Sequence, residues 1–502
     1  MKPGALIIPL FVAIPLAGAF INSVIGKKNK AISDIIGVVI TAVLVVLSLL
    51  SVYYVNQSGL IPYSVGSWKP PVGIGLVLDG LSSFMLVTVN IVAFLIALYS
   101  VNYMERFTAK FRFFTLFLLM VAGMNGVVIT GDIFNLFVFL EIASVASYAL
   151  VAFGTEKHEL EAAFKYAVMS TVGSLFILLG IVLLYSYTST LNMADMAVVI
   201  SKSGFSNIII FVTVLFIMGF GLKAALVPFH AWLPDAHPSA PAPISAMLSG
   251  VLIKSLGVYT LCRIIYNVIG MNVVISEVLL FLGAVSMVIG VFLAIGQWDF
   301  KRLLAYHSIS QIGYVILGIG LWTPLGILGG LFHLLNHSLF KSLLFLNSGA
   351  VEHATGTRDL KQMGGISEKM PVTSGTGLVA SMSIAGIPPF NGFWSKLIII
   401  VAAVQANRYG YAFWAVLASV MTLASFMKVM KYGFYGKLRA GLESVKEAPF
   451  YMQLSMVILA LLCVSGGILL LPELRAMFLD SAQTALSQGT GMAASILNMV
   501  KI

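Results

Sequence analysis

Between residues 4 and 471 the sequence returns fourteen times to an apolar run of about twenty residues, and that recurrence constrains the fold more than anything else in the chain. A helix needs roughly 20 apolar residues to cross a bilayer. Inside hydrocarbon every backbone N–H and C=O must be satisfied within the protein, so helices are the expected form. The runs fall near 4–25, 31–54, 74–100, 111–130, 132–153, 162–187, 205–227, 243–268, 272–297, 303–322, 324–350, 371–403, 411–436 and 451–471. The expected fold class is therefore all-α and polytopic, with about 14 transmembrane helices. With 59% hydrophobic and 10% charged residues, against about 45–50% and about 25% in soluble domains, a water-soluble enzyme is excluded. The first run has no small-residue cleavage site before a hydrophilic segment and reads as a retained span.

Charge in the loops sets the orientation. Counted from the N-terminus, the odd loops carry Lys27, Lys28 and Lys30; Arg106, Lys110 and Arg112; Lys157; Lys301 and Arg302; Arg358, Lys361 and Lys369; and Lys437, Arg439 and Lys446. The even loops hold isolated bases such as Lys69, Lys202 and Arg408. Basic residues collect in cytoplasmic loops, so the odd loops are expected inside and both termini outside. The net charge of +10 has this explanation and does not call for nucleic acid. Cys262 and Cys463 stand far apart in apolar runs and read as packing residues.

A repeat is expected. Pro228 interrupts the seventh run and Pro389 the twelfth, 161 positions later. Spans four to eight would then recur as spans nine to thirteen; five is odd, so the second copy is inverted. Broken helices in inverted repeats are the sequence pointer to a transporter site. The expected units are residues 1–110, three N-terminal helices; 111–268 and 272–436, the two five-helix repeats; and 437–502, the last span and a short tail.

The informative residues are the ionisable ones inside apolar runs, each costing about 2.5–3.5 kcal/mol at mid-membrane if unpaired. They are Glu141 in span five, Lys223 before the break in span seven, Lys254 in span eight, and Lys396 after the break in span twelve. His333, His337 and Lys341 lie at i, i+4 and i+8 of span eleven, on one helical face. Desolvation favours a neutral amine and a neighbouring carboxylate a charged one, so a lysine beside an acid is a switchable proton carrier. Histidine passes protons in either direction. Glu141, Lys223, Lys254, His333 and Lys396 are thus candidate relay residues, with His307, His337 and Lys341 as further candidates. Blander readings stand beside this one. Glu141 and Lys223 could form a static ion pair, Lys254 could snorkel, and His337 could be a satisfied core residue. His333 and His337 could also bind a metal, although no third ligand is near. Asp79 reads as a helix-end residue, and His230, Asp235 and His237 as water-facing residues beside the first break. No phosphate-binding loop, dinucleotide fingerprint or haem or iron–sulfur pattern occurs, so no cofactor is expected in this chain.

The stretch Gly221-Leu222-Lys223-Ala224-Ala225-Leu226-Val227-Pro228-Phe229-His230-Ala231-Trp232-Leu233-Pro234-Asp235-Ala236-His237, with Pro241-Ala242-Pro243-Ile244-Ser245-Ala246 after it, resembles the signature of the antiporter-like subunits. These are shared by the complex I membrane arm, Mrp-type sodium/proton antiporters and energy-converting membrane-bound hydrogenases. The resemblance spans roughly the third to thirteenth runs. It implies that Glu141 and Lys223 couple neighbouring subunits, that Lys254 and His333 are relay members, and that Lys396 exchanges with the outside. It also implies a prokaryotic cell membrane and a complex with other antiporter-like and small membrane subunits, with a peripheral redox arm in the hydrogenase- or NADH dehydrogenase-like case. Length and Leu191-Asn192-Met193-Ala194-Asp195-Met196 favour the D-type Mrp subunit; the histidine-containing Pro228 segment leans towards hydrogenase-like complexes. The ion is expected to be the proton, with sodium as a second candidate. A stand-alone sodium/proton exchanger and a structural membrane anchor are the alternatives.

Overall fold

The computed structural model of the chain describes residues 4–27, 29–107 and 109–501, with side chains to residue 497; Lys28 lies outside them, as do both extreme ends of the expected units. Helices α1 (Leu10–Ile25), α2 (Lys30–Ser58), α3 (Gly80–Tyr103), α4 (Lys110–Ile129), α5 (Ile133–Val151) and α6 (Lys157–Thr188) lie on the first six apolar runs. A short helix α7 (Met193–Ser203) precedes α8 (Asn207–Lys223), α9 (Leu233–Ser239) and α10 (Ala242–Ile269). Then come α11 (Val273–Ile295), α12 (Phe300–Gly320), α13 (Pro324–Thr355), α14 (Pro371–Ala385), α15 (Asn391–Gln405), α16 (Tyr409–Phe434) and α17 (Phe450–Leu470). Two short helices, α18 (Ser481–Ser487) and α19 (Gly491–Lys501), end the chain. Many helices start where a side-chain oxygen accepts an orphan N–H: Asn29 for α2, Asp79 for α3, Asp132 for α5, Asn272 for α11 and Asp299 for α12.

Among the described residues, eleven helices are long and apolar enough to cross a membrane. The other three expected runs fall on α8, on α14 and α15, and on α13. The first two are interrupted helices. The third is 32 residues long, but His333, Asn336, His337, Lys341 and Asn347 make it less apolar.

Both expected breaks are present. After Lys223 the chain leaves helical geometry, with Ala225 at φ +56°, and resumes at Leu233; Val227 N donates to Ser286 Oγ at 2.9 Å. The second break centres on Gly386 at φ +80° and Pro388-Pro389, before α15. Two features depart from the sequence expectation. The apolar run Gly75–Leu78 is not the start of span three. It is strand β2, paired antiparallel with β1 (Ile61–Ser64) in the register Ile61 to Leu78. Asp79 ends it by capping α3, in a capping box with Ser82. Within α10 the segments Leu248–Leu252, Lys254–Tyr259 and Ile265–Ile269 are π-helical, a local widening that often marks functional sites.

The loops segregate by parity. On one face Asp34 pairs with Lys110 at 2.7 Å, Lys165 with Asp235 at 3.3 Å and Arg358 with Asp299 at 3.2 Å. There too Lys301 donates to Ala240 O at 3.2 Å and Gly365 N to Tyr435 O at 3.2 Å. All are odd loops or the helix ends beside them. On the other face Gly131 N donates to Gly75 O at 2.9 Å and Ile133 N to Leu191 O at 3.0 Å, while Asn267 Nδ2 reaches Ala485 O and Gly489 O at 3.0 Å. Gly4 packs on Tyr54 at the end of α2, and α19 packs against α7, so both described chain ends lie on the even-loop face.

Candidate functional site

Glu141 and Lys223 meet where α5, α6 and α8 adjoin. Glu141 Oε1 lies 3.6 Å from Lys223 Nζ. Lys223 is the last residue of α8, so the break places its amine at the end of a helix rather than along its flank. The ammonium also donates to Ser170 Oγ at 2.6 Å and to Ser144 Oγ at 3.2 Å, and Ser174 donates to Glu141 Oε1. Ser144 follows Glu141 by three residues, and Ser170 precedes Ser174 by four, so each pair shares a helical face. Lys223 is buried, whereas the Glu141 side chain is 31% exposed.

Lys254 has no exposed surface and, among the described residues, no ion-pair partner. Its Nζ donates to the carbonyls of Ser249 and Gly250, both at 2.6 Å, within the π-helical stretch. No hydrogen bond joins it to Lys223. The two segments nevertheless pack closely: a Cβ on Gly257 would stand 2.4 Å from Ala224 N, so the break rests directly on α10.

On α13, His333, His337 and Lys341 are fully buried. His333 sits between Ser395 Oγ at 2.9 Å from Nδ1 and Gln311 Oε1 at 3.2 Å from Nε2. The His337 ring lies 6.3 Å from that of His333, and neither of its nitrogens takes a hydrogen bond from the described residues. Lys341 donates to Leu304 O. Lys396, at the start of α15, donates to Ile384 O at 2.7 Å, a carbonyl of the last turn before the second break. It also reaches Ser419 Oγ at 3.4 Å and lies 4.8 Å from the Tyr314 ring centre. Tyr314 in turn stands 5.4 Å from His333. His307 is buried against Phe426, with Ser425 Oγ 2.9 Å from Nε2.

The fold therefore gathers Glu141 with Lys223, and Lys396 with His333, while Lys254, His337 and Lys341 stand in the interior between them. Lys254 is within electrostatic reach of both His337 and Lys341. Pro228 and Pro389 lie in the two breaks. Asp79 is a helix cap, and it also holds Arg263 in a bidentate pair at 2.7 and 2.8 Å; Arg263 carried no weight in the sequence reading. Asp235 is partly exposed, but His237 is fully buried, contrary to the expectation that it faces water: α9 folds inward, turning its ring to Trp232 and Phe345. Lys110 belongs to α4 and is buried with Asp34 rather than free in a loop. Ser144, Ser170, Ser174, Gln311, Tyr314 and Ser395 were not anticipated. Ser144, three residues after Glu141, and Gln311, four after His307, share a helical face with a charged or titratable candidate; the other four carry no signal in the sequence. Cys262 and Cys463 are buried thiols. Among the described residues no three His, Cys, Asp or Glu side chains gather as a metal-binding group.

Comparison with known proteins places the chain as a whole. Residues 130–422 match the family model described as NADH:quinone oxidoreductase/Mrp antiporter, transmembrane, and residues 65–114 that of the N-terminus of complex I chain 5. The chain is 34% identical to the D-type subunit of the Na(+)/H(+) antiporter of Alkalihalophilus pseudofirmus, over 86% of this chain and 87% of that one. It is 38% identical to the N-type subunit of the NADH-quinone oxidoreductase of Desulforudis audaxviator, over 77% and 78%. A chain of the Mrp complex from Dietzia superposes with a TM-score of 0.91 at 27% identity, covering 99% of this chain and all of that one. A chain of the membrane-bound sulfane sulfur reductase, an archaeal respiratory membrane complex, gives 0.88 at 30% identity, covering 97% and 99%.

Proposed function

The chain belongs to the NADH:quinone oxidoreductase/Mrp antiporter family of transmembrane subunits, and on that premise we propose that it carries protons across a prokaryotic cell membrane as one subunit of a multisubunit complex. The observation that carries this reading is the set of buried amines. Lys254, Lys341 and Lys396 are held by backbone carbonyls or hydroxyls instead of carboxylates, and of these three and Lys223 only Lys223 has an acid beside it among the described residues. Intramembrane charges are costly and mark ion pathways. A lysine held by neutral acceptors can lose and regain its proton without stranding a counter-charge.

In this reading the chain crosses the membrane fourteen times, with the odd-loop face cytoplasmic and both ends outside. Protons load Lys223 or Lys254 from the cytoplasm. A change in the Glu141–Lys223 separation drives the proton on through His337 and His333, and Lys396 releases it outward. His307 and Lys341 are auxiliary members. Residues 111–268 and 272–436 act as inverted half-channels. Two paired features support the inversion. Backbone bridges join Asp132 to Asn192 and Asp299 to Asp359, 167 positions apart, the first on the even-loop face and the second on the odd. Positive φ recurs at Ala225 and Gly386, 161 apart.

Neighbouring subunits follow from Glu141. Its side chain is 31% exposed on a face with exposed Phe134, Val138 and Val145. A carboxylate left to lipid there would cost about 2.5–3.5 kcal/mol, and a partner subunit that covers it removes that cost. This favours membership of an assembly over a stand-alone exchanger. The chain supplies no redox cofactor in this reading; any electron donor belongs to a partner. Genes for redox subunits beside this one would mark a redox-driven pump, and a bare Mrp cluster an antiporter. The direct test is Lys223→Ala in the assembled complex, assayed for proton movement in inverted vesicles. Transport is lost while assembly persists; retained transport refutes the relay.

A further inference from the structure

Arg263 lies towards the even-loop end of α10, largely buried, and every N–H of its guanidinium is taken. Nη1 donates to Asp79 Oδ2 at 2.7 Å and to Asn267 Oδ1 at 3.2 Å. Nη2 donates to Asp79 Oδ1 at 2.8 Å and to the Tyr259 hydroxyl at 3.2 Å, and Nε donates to the same hydroxyl at 3.3 Å. Tyr259 in turn donates to Val128 O at 2.6 Å. A guanidinium carries five N–H donors in a rigid fork, and here all five are committed. Capping does not account for this, because Asp79 caps α3 by accepting from Ser82 N, a contact that needs no arginine.

The Asp79–Arg263 pair stands between two spaces. Outside it, Gly59, Asp480, Thr484 and Gln488 line a crevice of about 320 Å³ on the even-loop face, with Asp79 and Met492 in its wall. Asp79 and Met492 also wall an inner cavity of about 50 Å³, lined by Val128, Tyr259 and Arg263 and large enough for water. Lys254 lies further in on α10, five residues before Tyr259 and so one π-helical turn away. Asn267, which holds Arg263, also donates to Ala485 O and Gly489 O at 3.0 Å. It thereby ties the arginine to α18 and the turn after it, while Ala493 and Ile496 line the cavity from α19.

We propose that Arg263 is a plug that shuts this route, keeping the water and protons of the even-loop face from Lys254, and that the C-terminal segment latches it through Asn267. The inference rests on the proton-carrying function proposed above. A lysine loaded from the odd-loop face holds its proton against a gradient only while the opposite face is closed to it. Two properties suit Arg263 to that task. Its charge is permanent, because a guanidinium does not lose its proton in proteins, and an arginine fixed in a narrow passage is an electrostatic barrier to protons and cations. Its donors and the Tyr259 proton are also all engaged, so the pair offers no free group to hand a proton inward.

The test measures passive proton leak through the intact complex in liposomes. A potassium diffusion potential set with valinomycin drives it, a trapped pH-sensitive dye reads it, and co-purification of the subunits reports assembly. The double variant Asp79→Asn/Arg263→Gln keeps hydrogen-bonding groups and removes both charges together. Its leak is expected to rise ~10-fold, equal to about 1.4 kcal/mol off the barrier. Asn267→Leu, which cuts the latch and leaves the ion pair, is expected to raise the leak by a smaller factor. Adding Lys254→Ala to the double variant returns the leak to the parental level. An assembled double variant that leaks no more than the parent reduces Arg263 to a structural partner of Asp79 and overturns the proposal, as does a raised leak that survives Lys254→Ala. Should the double variant fail to assemble, Asn267→Leu decides, and a parental leak there is equally fatal. The proton-carrying reading is judged separately: it falls if Lys223→Ala still transports when driven, and stands if that variant is inactive while the plug variants do not leak.

Discussion

Gly257 offers the sharpest test of how the first break is held against α10. A Cβ added there would stand 2.4 Å from Ala224 N, 2.5 Å from Ala224 Cα and 2.6 Å from Ala224 Cβ. Ordinary van der Waals contact begins near 3.4 Å, so Gly257→Ala must push the two segments apart by about 1 Å. The obstacle is backbone and cannot rotate away. Overpacking of a tight core costs about 1–3 kcal/mol, which lowers the melting temperature of the complex without preventing assembly. The functional effect is larger. Ala224 adjoins Lys223, and a displacement of ~1 Å at a reacting centre can cost on the order of 100-fold in rate. Proton transport by reconstituted Gly257→Ala complex is therefore expected to fall by one to two orders of magnitude, out of proportion to the modest loss of stability. Gly410→Ala is the control, since a Cβ there meets nothing within 4 Å. It should leave transport intact and add up to about 1 kcal/mol of stability, as Gly→Ala does within a helix. If Gly257→Ala transports at the parental rate with an unchanged melting temperature, the Ala224–Gly257 contact does not set the geometry of the pair.

Three further outcomes are expected. Asp79→Ala or Arg263→Met alone leaves a buried charge uncompensated and should cost about 3–5 kcal/mol; the double variant should lose less than the two singles together, measured by thermal unfolding of the complex. Cysteines placed at Lys69 and Lys361, on even and odd loops, should react with an impermeant maleimide from opposite sides of the membrane, Lys69→Cys from outside; labelling of both from one side would refute the topology. Ser395→Ala removes the Nδ1 partner of His333 and should slow transport by about tenfold with normal assembly, since a positioning contact is lost and no charge is removed.

The charged residues were legible because hydrocarbon makes them conspicuous. Glu141, Lys223, Lys254 and Lys396 interrupt otherwise apolar runs, and the breaks at Pro228 and Pro389 announce themselves by residues whose backbone nitrogen has no hydrogen to donate. Their partners were not legible. Ser170 and Ser174 look like any serines in a membrane helix until the fold sets them against Lys223 and Glu141. The hairpin escaped notice because Gly75–Leu78 continues the apolar character of α3, and only the capping by Asp79 divides strand from helix. The π-helical turns of α10 change the hydrophobic period too little to read in one sequence, yet the carbonyls that hold Lys254 lie among them. His237 was misplaced because the proline-rich segment around it reads as a surface turn, whereas α9 folds back into the protein.

The two backbone bridges, Asp132 to Asn192 and Asp299 to Asp359, clasp their helices at opposite rims. A bundle fastened at one end can spread only at the other, like tongs. In this chain each half carries a second tie at its other rim, Lys165 to Asp235 within residues 111–268 and Arg408 to Glu277 within residues 272–436, so neither can gape at one mouth without breaking an ion pair at that rim.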